Sequence, residues 1–281
     1  MCIAENDPSP ETEAYITHLA NLLHNGLHTG DEHVRKSASS IRILDLCTGT
    51  GSIPLLLHSI LSTHLPETHI TGVDISPKAL ALARYNLRWN TTYNNLSPTA
   101  SQQVTFLHAD VLGSSSSTPK EHPVPNIHQA LKTTHQPLEW DILISNPPYI
   151  STYSFQRTTS RSVRNHEPKS ALVPSSSTHP RPNDDDGDVF YPPLLSIATS
   201  VHAKLVVLEV ADMEQAQRVV GLAIDSGRWH GVGIWRDWPE DQAGDRETVV
   251  VQGRQVAVAG DGNGRVVLCW SREGGEWIGR P

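Results

Sequence analysis

Residues 41–52 read Ile-Arg-Ile-Leu-Asp-Leu-Cys-Thr-Gly-Thr-Gly-Ser, an apolar strand that runs directly into a glycine-rich turn. Ser52-Ile53-Pro54, followed by three leucines, predicts a helix that begins where the turn ends. Gly49 and Gly51 permit backbone dihedrals that a Cβ would forbid, and they let the backbone approach a ligand closely. The stretch therefore predicts a strand, turn and helix of an α/β sheet, with a ligand at the turn.

Short apolar runs along the chain predict the rest of this sheet. The seven predicted strands are Ile41–Leu46, His69–Asp74, Gln103–His108, Asp141–Ser145, Lys204–Val210, Gly231–Arg236 and Glu247–Gln252. The first five are nearly continuous in apolar character, which is typical of parallel strands covered on both faces. Helical patterns at Glu13–Leu23, after Ser76-Pro77 and at Met213–Ile224 alternate with them. We predict an α/β fold with a seven-stranded, mostly parallel sheet and helices on both faces.

Composition narrows the class of protein. The chain has 281 residues and a net charge of −8, which disfavours non-specific coating of nucleic acid but leaves a local basic groove possible. Cys2, Cys47 and Cys269 form no Cys-x-x-Cys pair, and the histidines show no close ligand spacing, so no disulfide framework and no metal are predicted. No apolar run approaches the roughly 20 residues that cross a bilayer, so no membrane partner is expected.

The pattern divides the chain into three segments. They are a helical lead-in at 1–36, the main domain at 37–255 and a tail at 256–281. Within the main domain, residues 113–137 are rich in Ser, Thr, Pro and His, and residues 174–188 end in a run of acidic residues. We predict that both stretches are mobile surface insertions.

Acidic residues follow the second and third predicted strands. The Asp74 carboxylate can accept hydrogen bonds from two ribose hydroxyls, and Asp110-Val111 lies where an adenine ring would be bound and covered. Pro54 stands where a dinucleotide fingerprint has its third glycine, which disfavours NAD. Each feature alone is also typical of an ordinary turn or a solvated carboxylate. Together with the glycine-rich turn they predict a nucleoside cofactor without phosphates.

The fourth strand ends in Asn146-Pro147-Pro148-Tyr149. A carboxamide and a prolyl carbonyl can together accept both hydrogens of a planar –NH2 group and so hold its nitrogen in place. The two prolines fix φ and remove two backbone donors. Taken alone, the prolines are also typical of a rigid turn at the end of a strand.

These residues resemble class I methyltransferases that use S-adenosylmethionine, and within them the HemK/PrmC family of glutamine N5-methyltransferases that act on peptide-chain release factors. The similarity covers roughly residues 8–255. It is carried by separate blocks in the same order: Pro10-Glu11-Thr12-Glu13, residues 43–51, Val73–Leu80, Ile144–Ile150, and His166-Glu167-Pro168 with Ala171-Leu172. Trp235-Arg236-Asp237 and Asp245-Arg246 resemble the last block of the family.

The resemblance implies a Rossmann-like class I methyltransferase fold for residues 37–255 and S-adenosylmethionine as the cofactor. The positions that match its cofactor-binding motifs are Cys47, Thr48, Gly49, Thr50, Gly51, Asp74, Ile75, Asp110, Val111 and Asn146. It also implies that a release-factor glutamine enters beside Asn146, whose carboxamide and the Pro147 carbonyl accept the two amide hydrogens. Pro148 and Tyr149 would complete the substrate pocket, and Asn146, Pro147 and Tyr149 are the predicted catalytic residues.

The sequence departs from the family in two places. Family members usually carry a helical substrate-binding domain before the Pro10–Glu13 block, whereas here that block lies close to Met1. The expected absence of the domain fits either a truncated product or another mode of substrate recognition. Cys47 stands where the family more often has glycine. A eukaryotic relative would be expected in mitochondria, but Met1–Glu13 lacks the basic form of a transit peptide, so a cytoplasmic location is the alternative.

Two other functions remain open at this stage. The first is methylation of adenine or another exocyclic amine in nucleic acid, because the same tetrapeptide geometry can hold a flipped base. The second is a non-catalytic module that binds the cofactor or a partner protein.

Overall fold

The structure is a computed structural model that describes residues 9–29, 40–65, 67–113, 124–150, 173, 186–240 and 247–280. Its strands are β1 (Ser40–Leu46), β2 (Glu67–Asp74), β3 (Val104–His108), β4 (Ile142–Ser145), β5 (Leu205–Glu209), β6 (Gly231–Trp238), β7 (Glu247–Val251), β8 (Arg254–Ala259) and β9 (Asp261–Trp270). Its α-helices are α1 (Pro10–Thr29), α2 (Ser52–Leu61), α3 (Pro77–Thr92), α4 (Ala100–Gln103), α5 (Ile127–Thr133), α6 (Tyr191–Ser200), α7 (Met213–Asp225) and α8 (Arg272–Trp277).

The strands form one sheet in the order β3-β2-β1-β4-β5-β9-β6-β8-β7. The five strands from β3 to β5 are mutually parallel, which confirms the prediction from their continuous apolar character. The register pairs Leu46 of β1 with Val73 of β2 and with Ser145 of β4, and Ser145 in turn with Leu208 of β5. These four strands therefore end at one edge, and the residues that follow them are brought together there.

Helices cover both faces of the sheet, as predicted. On one face α1, α2 and α8 bury Tyr15, Leu57 and Trp277. On the other, α5, α6 and α7 bury Leu131, Leu194 and Val219. The helix α1 is longer than predicted and packs as a full member of the first layer. Within the described residues, no helix combines the length and the apolar character that a membrane span requires.

Two predictions were wrong for the half of the sheet that lies beyond β5. The described residues contain nine strands rather than seven, and the segment 256–281 is not a tail. It holds β9, which runs antiparallel between β5 and β6 and buries Val266, Val267, Leu268 and Cys269. The predicted seventh strand, Glu247–Gln252, is β7 at the outer edge. The Asp261-Gly-Asn-Gly264 start of β9 resembles a loop, and this concealed the strand in the sequence.

The predicted insertion at 113–137 is also only partly correct. Residues 114–123 lie outside the described part of the chain, but 124–137 include α5, which packs on the core through Ile127, Ala130 and Leu131. A capping box fixes its start, because Asn126 and Gln129 satisfy each other's backbone N–H groups. Of the second insertion, 174–185 lie outside the described residues. So does the block from His166 to Leu172.

Candidate active site

The glycine-rich turn after β1 forms the first wall of the site. The Thr48 N–H donates to the Val73 carbonyl at 2.9 Å, and the Gly51 N–H donates to the Thr48 carbonyl at 3.0 Å. Gly51 has a φ of 78°, and a Cβ there would lie 2.8 Å from Cζ of Phe106, so the turn packs tightly against the core. Gly49 has a φ of 55°, and a Cβ there would meet no atom of the described residues within 4 Å. The turn is therefore closed on its core side and open at Gly49.

Cys47 begins this turn with a φ of 63°. A left-handed backbone costs a residue with a Cβ on the order of 1 kcal/mol, whereas glycine adopts it freely. Glycine at this position would avoid that backbone cost. Burial and the nearby Asp74 charge raise the pKa of the Cys47 thiol, which leaves it a weak nucleophile.

Asp74 connects the turn to the start of α3. Its Oδ2 accepts the Gly49 N–H at 2.9 Å, and its Oδ1 accepts the Ser76 N–H at 2.8 Å. Ser76 caps α3 and Pro77 occupies its first turn, as their order in the sequence predicts. Each carboxylate oxygen retains acceptor capacity for a hydroxyl group. Ile75, the next residue, is 55% exposed at the same edge, and an apolar side chain so placed can cover a ring.

Asp110 and Val111 follow β3 as predicted, but both side chains are more engaged than the sequence indicates. The Asp110 Oδ1 accepts the Leu112 N–H at 2.9 Å, and the Asp110 backbone pairs in parallel with Asn126 before α5. Val111 is buried in the cluster that contains Ile127. The roles of Asp110 and Val111 in binding a nucleoside remain predictions.

The Asn146–Tyr149 segment follows β4 at the same edge. The Ser145 hydroxyl donates to the Leu46 carbonyl at 2.7 Å, which joins the end of β4 to the end of β1. Asn146 is half-buried, Pro147 is buried, and in the described part of the chain no hydrogen bond occupies the Asn146 carboxamide. Tyr149 donates its hydroxyl hydrogen to Oε1 of Glu209 at 3.1 Å. The predicted acceptor pocket and the glycine-rich turn therefore adjoin each other.

Two carboxylates at this edge were not among the predicted site residues. Asp45 lies in β1 with no exposure, and among the described residues neither of its carboxylate oxygens has a hydrogen-bond partner. Burial raises the pKa of Asp45 to about 8, the nearby Thr48 hydroxyl opposes this rise, and the Asp74 charge adds to it. Glu209 is buried at the end of β5. An acidic residue inside an apolar strand is the sequence signal that could have identified Asp45.

The raised pKa of Asp45 predicts a pH-dependent stability. In the folded state Asp45 holds a proton that the unfolded chain releases above the ordinary pKa of 3.8. Its contribution to stability is therefore complete below that pKa and is lost as pH rises through about 8. Relative to Asp45→Asn, the parental free energy of unfolding should fall by up to ~1.4 kcal/mol per pH unit between about pH 5 and pH 8. Urea unfolding at three pH values measures this slope, and equal slopes in the two proteins would contradict it.

Among the described residues, no group of three His, Cys, Asp or Glu side chains is placed to hold a metal ion. The side chains that do converge at the edge are carboxylates, a carboxamide and hydroxyl groups.

A family model described as "Methyltransferase domain" matches residues 37–111, which include β1, the glycine-rich turn, Asp74 and Asp110. With the parallel sheet and its two layers of helices, this match defines the fold as that of a class I methyltransferase, as predicted.

Curated relatives confirm the resemblance to the HemK/PrmC family. A protein of Schizosaccharomyces pombe named "Probable MRF1 mitochondrial N(5)-glutamine methyltransferase mtq1" is 35% identical over 133 residues, covering 47% of this chain and 36% of the relative. The release factor glutamine methyltransferase of Chlorobaculum tepidum is 32% identical over 167 residues, covering 59% of this chain and 44% of the relative. The chain thus spans less than half the length of these two relatives.

Among solved structures, the hMettl16 catalytic domain in complex with a MAT2A 3′UTR hairpin superposes with a TM-score of 0.49 at 12% identity, over 95% of this chain and 71% of that one. Nothing about substrate follows from a likeness of this size.

Proposed function

We propose that this protein transfers a methyl group from S-adenosylmethionine to the side-chain amide nitrogen of a glutamine in the Gly-Gly-Gln loop of a peptide-chain release factor. The observation that carries the proposal is the position of Asn146-Pro147-Pro148-Tyr149 beside the glycine-rich turn, joined to it by the hydrogen bond from Ser145 to Leu46. The printed names of the relatives support glutamine as the acceptor.

The residues at the edge fit this cofactor. Gly49 borders open space that a bound ligand can fill, and Asp74 presents an oriented carboxylate to ribose hydroxyls. The Asp45 carboxyl, which holds a proton in the unliganded protein, would complement the cofactor's ammonium group once that proton is released. The remaining proposed contacts are Cys47, Thr48, Thr50, Gly51, Ile75, Asp110, Val111 and Asn146. When bound, the cofactor supplies an electrophilic methyl group on a sulfonium sulfur.

The chemistry assigned to the chain is mainly orientation. An amide nitrogen is a poor nucleophile because its lone pair is delocalised, so holding it in line with the methyl carbon carries much of the catalysis. The Asn146 carboxamide oxygen and the Pro147 carbonyl accept the two amide hydrogens of the glutamine. The bound cofactor would give up its methyl group to the nitrogen and leave as a neutral thioether, while Asn146 and Pro147 would hold the nitrogen as it releases one proton to a carbonyl oxygen or to water.

The proposal is tested by incubating the purified protein with methyl-labelled S-adenosylmethionine and three separate acceptors. These are a release factor with an intact Gly-Gly-Gln loop, the same factor with that Gln replaced by Ala, and nucleic acid. We expect label on the first acceptor alone. Label on nucleic acid alone would establish the exocyclic-amine alternative, and cofactor binding without any transfer would establish the non-catalytic one.

We also propose that the protein acts in mitochondria, which the printed name of the Schizosaccharomyces pombe relative supports. Fractionation of cells that express the protein from its natural locus tests this, and recovery in the cytoplasm would overturn it.

A further inference from the structure

Glu209 receives three hydroxyl groups in the interior of the protein. It follows Leu208 at the end of β5 and is only 2% exposed. Its Oε1 accepts the Tyr149 hydroxyl at 3.1 Å, and its Oε2 accepts the Thr12 and Tyr15 hydroxyls, each at 2.9 Å. Two of these donors lie on α1, and the third lies in the predicted acceptor pocket. One carboxylate thus connects two elements that are distant in the sequence.

The positive charge of Arg265 lies near Glu209 and its hydroxyl donors. Arg265 of β9 donates through Nε to Asp237 at 2.7 Å, and its positive charge lies close enough to Glu209 and Tyr149 to affect both. Burial nevertheless raises the pKa of Glu209, although its three hydroxyl donors and Arg265 oppose the rise. Because the three neighbours donate O–H hydrogens, the ionised carboxylate is the form that suits all of them.

Tyr149 is also held through its backbone. Its carbonyl accepts the Nε2–H of Gln215 at 3.2 Å, and the same amide group donates to Asp188 at 2.8 Å. Only Pro147 and Pro148 separate Tyr149 from Asn146, and their rings leave φ almost no freedom. Fixing Tyr149 therefore limits the orientations that the Asn146 carboxamide can adopt.

The start of α1 is set by its own cap. The Ser9 hydroxyl accepts the Thr12 N–H at 3.2 Å and contacts the Thr12 hydroxyl at 3.1 Å. Thr12 is thereby held in the orientation that reaches Glu209. This gives the Pro10–Glu13 block a physical connection to the acceptor pocket, although none of its residues lies in the Asn146–Tyr149 segment.

We propose that Glu209 is a positioning residue, which through Tyr149 holds the Asn146–Pro147 acceptor geometry and makes that geometry depend on the docked first turns of α1. This inference rests on the proposed methyl transfer to a glutamine amide. Glu209 touches neither the cofactor nor the acceptor in this scheme and acts only through Tyr149.

The first test compares Glu209→Gln, Tyr149→Phe and the double variant in methyl transfer to a release factor. Glutamine has the shape of glutamate but replaces one acceptor oxygen by a donor –NH2 group. We expect each single variant to lower kcat by ~10-fold, the double variant to lose little more, and Kd for S-adenosylmethionine to stay within about 2-fold of the parental value. The proposal would be overturned if the losses in kcat of the two single variants multiplied in the double variant. A loss of S-adenosylmethionine binding that accompanied the loss in kcat would also overturn it.

A second test uses the donor on α1. Thr12→Val removes the hydroxyl at nearly constant volume, whereas Thr12→Ser keeps it, so we expect a severalfold lower kcat in the first variant and restored kcat in the second. Glu273→Gln is the matched control for Glu209→Gln. Glu273 lies at the start of α8, where it pairs with Lys204 and not with the residues around Glu209. Equal kcat in Thr12→Val and in the parental protein would overturn the connection through α1.

A readout without catalysis separates this inference from the proposed function. If the parental protein transfers no label to a release factor, the proposed function fails. Hydrogen–deuterium exchange then still tests the connection. In Glu209→Gln, we expect faster exchange both in 10–20 and in 142–150, with β2 unchanged. Unchanged exchange in 142–150 would overturn the inference whatever the activity.

Discussion

Asn146→Ala should lower methyl-transfer turnover by ~10²-fold or more, the scale of losing one preorganised polar contact. The alanine leaves the prolines and the strand end in place but removes the carboxamide oxygen that would accept an amide hydrogen of the glutamine. Cofactor binding should change far less than turnover, since most of the proposed cofactor contacts lie in the glycine-rich turn after β1 and at Asp74, the last residue of β2. Single-turnover assays with saturating S-adenosylmethionine measure the loss directly.

Asn21→Ala is the control for this experiment. Asn21 is exposed on α1 and pairs only with Glu240 among the described residues, so its removal should leave turnover at the parental value. If Asn146→Ala also turned over at the parental rate, the carboxamide would have no part in holding the acceptor.

We expect Gly51→Ala mainly to lower the free energy of unfolding and Gly49→Ala mainly to weaken cofactor binding. At Gly51 the added Cβ meets Cζ of Phe106 at 2.8 Å and Cβ of Ala83 at 3.1 Å. Overpacking and the left-handed backbone together should lower the free energy of unfolding by about 2–4 kcal/mol. At Gly49 the Cβ meets no atom in the described part of the chain, so only the backbone cost of about 1 kcal/mol is expected.

For the affinity for S-adenosylmethionine, we expect Gly49→Ala to have the larger effect of the two substitutions. The open space at Gly49 is where we place the cofactor, so the methyl group of Gly49→Ala should weaken the binding of S-adenosylmethionine by ~10-fold or more in a protein that remains folded. Urea unfolding and calorimetric titration of both variants separate the two effects. Unchanged affinity in Gly49→Ala would place the cofactor elsewhere.

The parallel half of the sheet could be predicted from the sequence because its predicted strands are rich in leucine and β-branched residues. The capped start of α3 could be predicted for a similar local reason, since Ser76 and Pro77 are adjacent. The strand β9 could not, because its first residues include two glycines and its burial arises only from insertion between β5 and β6. Its place in the sheet depends on partners that are distant in the chain.

The site also contains residues that the sequence predicts and residues that it does not. Asp74 ends one predicted strand and Asn146 directly follows another, and their convergence at one edge follows from parallel pairing. The partners of Glu209 leave no local signal, because Thr12 is 197 residues away in the sequence. The acidic residue within apolar β1 could have drawn attention to Asp45, but a strand pattern does not reveal that its carboxylate lacks a partner among the described residues.

The insertion of β9 also determines when this fold can form. A ribosome produces β5 and β6 well before Asp261–Trp270, so a nascent chain that ends earlier carries β5 as an unpaired apolar edge. Such edges readily pair with other chains. We therefore expect a premature stop between Glu209 and Asp261 to yield aggregates rather than a weakly active fragment, which sedimentation of the truncated protein would measure.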